Sequence, residues 1–377
     1  MNIIIIQRIF PHYRKAIFDK LNQVYGVRIF HGRNDSGIQQ IETDYSTIIP
    51  SRQLGNKDTV AVLGGFRKIM RSEPDIIFHE FTIGIPSLLL VRLLAFFTGA
   101  KFVLWGHGIN LKRGFKPFSS ISDFYRYLLM KTSDAVQFYT PDQMEHVKKY
   151  ISPKKMFVAY NALDTDTQHS TYQQIAAHDR ATIKRELGIE WKYNFIFISR
   201  LLATKKPEQI IELFELLPED IRKQTGVHII GNGPMFEPLQ QLIDQKGFTA
   251  HIRLYGEITE EAVLGKYLYC SDFMINPGYL GLSVNLSFAY GCPIITFESD
   301  AMEQVHSPEV YYLRDGKTGI KVYNLNLKEM ADALAKSLHS GTYRQMRKNC
   351  LDTIYQEGSI EQMFSGFKHS IEWVTRN

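Results

Sequence analysis

Cysteine is scarce: Cys270, Cys292 and Cys350 are the only three in 377 residues. An odd number, widely spaced and without a CxxC pair, excludes a disulfide scaffold and a cysteine-built metal centre, and predicts a reducing compartment. Long apolar runs are missing as well. The longest, Ile83 to Gly99, is interrupted by Pro86 and Arg92 and falls short of the roughly 20 residues a spanning helix needs. It reads as a buried amphipathic helix. The opening residues Met1 to Gln7 reach Arg8 too early for a secretory apolar region, so no signal peptide is expected and the chain reads as cytoplasmic. There is no HExxH or close HxH pair, no G-x-S-x-G elbow, and no glycine in Gln7-Arg8-Ile9-Phe10 after the first apolar run. Zinc chemistry, a serine hydrolase and a dinucleotide fingerprint on that strand are therefore not expected.

What is present is an ordinary globular composition, 44% hydrophobic and 22% charged, which rules out a coiled coil, a collagenous repeat and a disordered chain. The net charge of +5 hides an asymmetry. Residues 1–165 carry 22 Lys or Arg against 13 Asp or Glu, and residues 166–377 carry 22 against 26. A basic half beside an acidic half argues against nucleic-acid binding by the whole chain and fits one domain that meets an anionic surface or substrate.

Apolar runs at Ile3–Gln7, Val27–His31, Asp75–His79, Lys101–Trp105, Ala135–Tyr139 and Met156–Tyr160 alternate with helix-period segments such as Arg14–Val24, Val60–Arg71, Ser87–Phe97 and Asp123–Lys131. That alternation predicts a parallel sheet with right-handed crossovers. Asn161 to Arg180 is polar without an apolar period and reads as a joint, with a helix resuming near Ala181–Leu187. The alternation then restarts with runs at Phe195–Ser199, Val227–Ile230, Ile252–Tyr255, Phe273–Asn276 and Pro293–Phe297, and from Leu327 only helices are expected. The fold class is α/β: two Rossmann-like parallel-sheet domains facing each other across a cleft. The first spans 1–165, the connection 166–190 and the second domain 191–359, with a final helix at about 360–377 packing back on the first. Ligands of such sheets bind at the carboxyl ends of the strands.

Three loops stand at those ends in the second domain. Ser199-Arg200-Leu201 with Lys205 follows the first strand and precedes a helix opened by Pro207. Two cations there suit an anionic ligand, above all a diphosphate. Gly231-Asn232-Gly233-Pro234 follows the next strand, where glycines allow close approach of backbone to ligand. Asn276 to Leu286 leads from a strand into an apolar helix whose first N–H groups face outward. Three such loops on successive strands describe a nucleotide-diphosphate site.

These residues resemble the retaining glycosyltransferases of family 4, which have the GT-B fold, and the likeness runs over nearly the whole chain. Arg200 and Lys205 match the family's Arg/Lys pair on the donor diphosphate, and Gly231-Asn232-Gly233-Pro234 its Gly-Asp-Gly-Pro turn. Gly256-Glu257-Ile258 matches the segment whose backbone meets the base. Gly281-Leu282-Ser283-Val284-Asn285, through Ala289-Tyr290-Gly291-Cys292-Pro293, matches the donor-binding helix and the strand after it. Asn161-Ala162-Leu163-Asp164 sits at the family's domain joint. Pro11-His12-Tyr13-Arg14 and Trp105-Gly106-His107-Gly108 resemble patterns of a bacterial subgroup. One departure is clear. The family carries two glutamates eight positions apart, where this chain has Gly278 and Leu286, and neither side chain accepts a hydrogen bond. Sugar and ribose recognition then falls to Ser283, Asn285 or Ser287.

The resemblance implies an enzyme that moves a sugar from a nucleotide diphosphate to a hydroxyl of a glycan or lipid-linked glycan, in capsule or lipopolysaccharide assembly, without metal or cofactor. Arg200, Lys205 and His107 are the expected catalytic residues. Gly231, Asn232, Gly233, Gly256, Ile258 and Gly281 to Asn285 are expected at the donor, and Pro11, Tyr13, Arg14, Glu80 and Gly108 at the acceptor. Asp164-Thr165-Asp166 spells the Asp-x-Asp of metal-dependent transferases, but its place in the joint speaks against a metal. An epimerase or hydrolase of the same fold, or a non-catalytic nucleotide-sugar-binding relative, is the alternative. Basic and apolar residues interleave at Phe66–Arg71 and Leu111–Phe118, which predicts peripheral contact with an anionic membrane on its inner face.

Overall fold

The computed structural model describes residues 1–377 apart from 34–37, 54–59, 63–64, 83–84, 86, 110–113 and 299–305. The start of the Ile83–Gly99 run and residues 111–113 of the second basic cluster lie outside the described residues. The chain forms two compact units, Met1–Asp164 with Ile360–Asn377, and Thr165–Ser359.

The first unit is built on strands β1 (Ile3–Gln7), β2 (Arg28–His31), β3 (Ser46–Ile48), β6 (Ile76–Glu80), β7 (Lys101–Trp105), β8 (Ala135–Phe138) and β9 (Met156–Val158), with a separate antiparallel hairpin of β4 (Ser51–Gln53) and β5 (Val60–Val62). The seven run parallel in the order β3-β2-β1-β6-β7-β8-β9. Covered sheets of this kind need apolar residues on both faces. In β1, Ile4 and Ile6 join the core containing Phe102 and Leu104, while Ile3 and Ile5 join that of Phe18, Phe78 and Trp105. The helix Ile360–Arg376 closes the second of these cores. Gln137 Nε2 donates to the carbonyl of Gly366 at 2.8 Å and to Ser370 Oγ at 2.9 Å, and a Cβ on Gly366 would come 2.2 Å from the Val158 oxygen. Only glycine lets this helix lie so close.

The second unit carries β10 (Tyr193–Ile198), β11 (Thr225–Ile230), β12 (Ile252–Leu254), β13 (Phe273–Asn276), β14 (Ile294–Phe297) and β15 (Gly319–Val322), all parallel in the order β12-β11-β10-β13-β14-β15. This is the doubly wound order with its reversal between β10 and β13. Two parallel sheets of seven and six strands give the GT-B fold.

Three sequence expectations are corrected. Asn161–Arg180 is not irregular: Thr165–Ala176 is a helix packed on Glu261–Cys270. Its buried side chains are Thr165, Gln168 and Ile175, so tertiary packing rather than an apolar stripe holds it, and the periodic signal is absent. Together with the helix Arg180–Glu186, it makes residues 166–190 part of the second unit rather than a free connection. Val60–Arg71 is not one helix but β5 followed by the short helix Phe66–Arg71. The edge strands β3 and β15 give no clear sequence signal. In β15, Gly319 is required because a Cβ would fall 2.1 Å from the Ile294 oxygen.

Candidate active site

In the second unit the loop after β10 is the centre to which its neighbours are fastened. Leu201 N–H donates to the Asn232 carbonyl at 2.9 Å, and Met235 N–H to the Leu201 carbonyl at 3.0 Å. Gly231 and Gly233 hold φ of 141° and 152°, and Cβ atoms there would lie 1.9 Å from the Ser199 oxygen and 2.6 Å from that of Leu201. The glycines thus bring the second loop against the first. Gly231 N–H also donates to the Gly256 carbonyl at 2.7 Å, which fixes the Gly256-Glu257-Ile258 segment beside them; Gly256 and Ile258 are half-buried.

The third loop reaches the same centre from β13. A Cβ on Gly278 would sit 2.6 Å from the carbonyl carbon and oxygen of Lys205. Lys205 Nζ donates to the Tyr279 carbonyl at 2.7 Å and lies over the Tyr279 ring, 4.4 Å from its centroid. Arg200 is exposed, and Asn232 is exposed with its side chain accepting from Gly233 N–H at 2.8 Å. Burial, then the charge of Arg200, lowers the Lys205 pKa to about 8.

At the following helix, Ser283–Ala289, the sequence expectation is narrowed. Gly281, Leu282 and Ser283 are half-buried at its start, whereas the Val284 and Asn285 side chains are fully buried. Ser287 is buried and its hydroxyl donates to the Cys292 carbonyl at 2.7 Å. Of the three side chains expected to replace the glutamates, Ser283 alone reaches the surface. Sequence reasoning passed over Tyr279, 43% exposed, whose hydroxyl meets Ser307 Oγ, and His306, whose Nδ1 accepts from Leu280 N–H at 3.1 Å.

In the first unit the carboxyl ends of β1, β6, β7 and β8 converge, and here too the strand order reverses between β1 and β6. Arg8, directly after β1, donates through its backbone N–H to Glu80 Oε2 at 2.9 Å and through Nε to Oε1 at 2.8 Å. Burial raises the Glu80 carboxyl, but Arg8, then Arg14, outweigh it and hold the pKa below the usual value. Arg14 is buried, donates to Gln7 Oε1 at 2.8 Å and to the Tyr139 hydroxyl at 2.7 Å, and stacks 4.5 Å from the Trp105 ring. Arg8, Gln7 and Tyr139 were not foreseen; a charged residue ending an apolar first strand was the available signal for Arg8.

His107 follows β7 with Gly106 and Gly108. A Cβ on Gly108, at φ 61°, would press within 2.9 Å of the Phe81 and Phe138 rings. The imidazole packs edge-on to Tyr139 at 5.0 Å, and the His107 carbonyl accepts from Gln143 Nε2 at 2.5 Å. It is solvent-accessible yet recessed: burial, then the charges of Arg14 and Arg8 against that of Glu80, lower its pKa to about 4. It is therefore neutral at pH 7. Pro11 is buried, Tyr13 half-buried, and both lead into Arg14. Each unit thus presents cations at its own strand reversal: Arg8 and Arg14 in the first, Arg200 and Lys205 in the second. Among the described residues no group of three or more His, Cys, Asp or Glu side chains could hold a metal ion.

Residues 179–353 match the model of the family described as glycosyl transferases group 1. That segment is a group 1 glycosyltransferase domain. No curated protein matches it, but solved structures do. The Anabaena protein Alr3699/HepE in complex with UDP is similar over 99% of this chain and 100% of its own, with 12% identity and a TM-score of 0.71. The lipopolysaccharide outer core galactosyltransferase WaaB is similar over 98% and 99%, with 14% identity and a TM-score of 0.66. WaaG, a glycosyltransferase involved in lipopolysaccharide biosynthesis, is similar over the full length of both chains, with 12% identity and a TM-score of 0.63. At these identities the likeness is one of fold, and it extends over both units of the chain.

Proposed function

We propose that this glycosyltransferase takes a sugar from a nucleotide diphosphate bound at the carboxyl edge of the second unit. It passes that sugar, with retention, to a hydroxyl of a glycan or lipid-linked glycan bound by the first. The observation that carries this reading is the closure of three loops around Arg200 and Lys205 at the reversal between β10 and β13. Cleavage of the bond between the anomeric carbon and the diphosphate builds negative charge on the departing oxygen. Arg200, Lys205 and the backbone N–H groups at Gly281–Ser283 stabilise that charge most as the bond breaks. The acceptor oxygen then bonds the anomeric carbon on the face the diphosphate leaves, and the leaving phosphate oxygen takes the acceptor proton. Neutral His107 contacts the donor sugar, and the Glu80 carboxylate, poised by Arg8, accepts from an acceptor hydroxyl. The side-chain cations do the work for which a metal or cofactor would otherwise be needed.

HepE has been seen with UDP and with UDP-glucose, so UDP-sugars head the donors to be tried. The names of WaaB and WaaG support lipopolysaccharide assembly as the setting; capsule assembly, and a place in the cytoplasm against the membrane's inner face, are further parts of the proposal. A panel of UDP-, GDP- and other nucleotide-sugars read by thermal shift tests the donor, since a bound ligand raises apparent stability by its occupancy. The expected outcome is a shift with one nucleotide class and transfer from it with retained anomeric configuration. A new sugar isomer formed without acceptor would make the protein an epimerase, and free sugar a hydrolase. No shift with any nucleotide would overturn the reading.

A further inference from the structure

The helix Leu88–Thr98 is apolar on both sides. Leu88, Val91 and Ala95 enter the core, while Leu90, Leu93, Phe96 and Phe97 stand outward, Phe97 at 80% exposure. The helix Ile121–Thr132 repeats the arrangement, with Leu129 and Met130 inside and Ile121, Phe124 and Leu128 outside on one stripe, Ile121 at 90%. The two helices are neighbours. Arg92 Nε donates to the Thr132 carbonyl at 3.0 Å, and the Tyr125 hydroxyl meets the Leu89 backbone. Phe118, 77% exposed, extends the stripe with its ring 6.2 Å from Phe124 and 5.8 Å from Tyr127. A surface helix ordinarily turns polar residues outward, and a large exposed apolar patch marks a site of interaction.

Charge selects the occupant. These helices and residues 114–118 carry Arg92, Lys116, Arg126 and Lys131 against a single acid. That acid, Asp123, is 4% exposed and paired with Arg126 at 2.8 Å. At the end of the second helix Lys155, whose Nζ donates to the carbonyls of Lys131 at 2.9 Å and Ser133 at 2.7 Å, and Lys101 outnumber one further acid, Asp134, 3.9 Å from the Lys101 ammonium, so the face keeps its basic excess. A second copy of the chain in an isologous contact would set this basic face against itself. An anionic lipid surface offers the complement: headgroup phosphates for the cations and an acyl boundary for the rings.

We propose that the face formed by the helices Leu88–Thr98 and Ile121–Thr132 docks on an anionic phospholipid bilayer, entering it with Phe96, Phe97, Phe118 and Ile121. This rests on the reading of peripheral membrane contact and moves that contact away from the Phe66–Arg71 cluster. The test is sedimentation of the full chain with phosphatidylcholine vesicles, with and without phosphatidylglycerol. The expected result is binding to the anionic vesicles that falls as salt screens it. In a Phe96→Ser, Phe97→Ser, Ile121→Ser variant of unchanged melting temperature, binding falls at least about ten-fold. An Arg67→Ala, Lys68→Ala, Arg71→Ala variant stays within about two-fold of the unsubstituted protein. Undiminished binding by the serine variant would overturn the assignment of this face and leave membrane contact standing. Binding to neither vesicle would overturn both. A dimer in sedimentation equilibrium that the serine variant dissolves would give the face to a second copy and overturn the proposal.

Discussion

The Lys205 ammonium and the Tyr279 carbonyl join the loops after β10 and β13 through a 2.7 Å hydrogen bond, directly over the point where the strand order reverses. A carbonyl and an aromatic face satisfy the cation, and among the described residues it pairs with no acid. In the proposed function, a diphosphate binding here would give Lys205 a charged partner in place of a neutral one. The same geometry explains why Lys205 carries a lowered pKa: it is half-buried, and the charge of Arg200 adds to the effect of burial.

Replacing Arg200 or Lys205 by alanine is expected to lower turnover by roughly 10²–10³, the cost of one preorganised charge-stabilising donor. Both stand on a loop outside the apolar core, so melting temperature is expected to hold. Steady-state kinetics with a verified donor checks this, and near-full turnover in either variant removes that residue from the site.

Alkaline pH is expected to act on the same lysine. With its pKa lowered to about 8, Lys205 loses its charge in the free enzyme as pH rises through that value, so kcat/KM falls above about pH 8. Lys205→Arg keeps a charge throughout this range and is expected to move the alkaline limb upward even if its maximum is lower. A limb unmoved by that substitution belongs to another group.

At position 278 the usual family glutamate is sterically excluded. Any side chain there puts its Cβ 2.6 Å from backbone atoms of Lys205, and backbone cannot step aside as a flexible side chain does. Gly278→Glu is expected to cost roughly 1–3 kcal/mol of overpacking, a fall of about 3–10 °C in melting temperature, and to lower turnover by displacing Lys205. Leu286→Glu, at a half-buried helix position, is expected to fold normally. Restored donor affinity in Gly278→Glu would show that the loop yields and that Gly278 is a loss rather than an adaptation.

Excess EDTA is expected to leave turnover unchanged, because the proposed mechanism sets two side-chain cations, Arg200 and Lys205, against the departing charge. Activity abolished by the chelator and restored by Mn²⁺ or Mg²⁺ would assign that charge to a metal instead.

Much of this architecture was legible because a doubly covered parallel sheet writes its strands as unbroken apolar runs. Ile3–Gln7 and Lys101–Trp105 could be bounded to the residue. Edge strands such as Ser46–Ile48 bury too little to leave that mark, and Thr165–Ala176 buries polar side chains, so its helix depends on partners no local pattern reveals. At the candidate site, glycines and cations after strands were readable as a pattern, and Arg200, Lys205 and His107 do lie in the loops after β10 and β7. Arg8 and Tyr279 were not readable, since their interest lies in which distant residue they meet: Glu80 for the first, Lys205 for the second. Asn285 shows the opposite limit, a buried side chain. Its polarity suggested a ligand, but its helix turns it inward.

Acid is expected to destabilise both units through histidines held neutral. His79 lies in the first core with Nδ1 against the Glu80 carbonyl at 2.9 Å, and its buried Nε2 has no hydrogen-bond partner among the described residues. His228 lies in the second unit between the Tyr255 hydroxyl at 2.9 Å and Asn194 Oδ1 at 3.2 Å. Burial lowers the first to about 4. In the second, burial and then the charges of Arg253 and Lys184 give about 3. An unfolded chain protonates these rings near 6.5, so between that pH and the folded values it binds more protons than the native state. Stability therefore rises with pH in this window and is lost as pH falls from about 6.5 toward 4. By about pH 4.5 each buried imidazole costs on the order of 3 kcal/mol of stability. Urea midpoints measured from pH 7 down to pH 4.5 are expected to fall steadily. In a His79→Leu variant, which fills the same apolar surroundings with a group that does not titrate, the fall is expected to be shallower for the first unit alone. Equal slopes for the variant and the unsubstituted protein would mean that the acid sensitivity arises elsewhere.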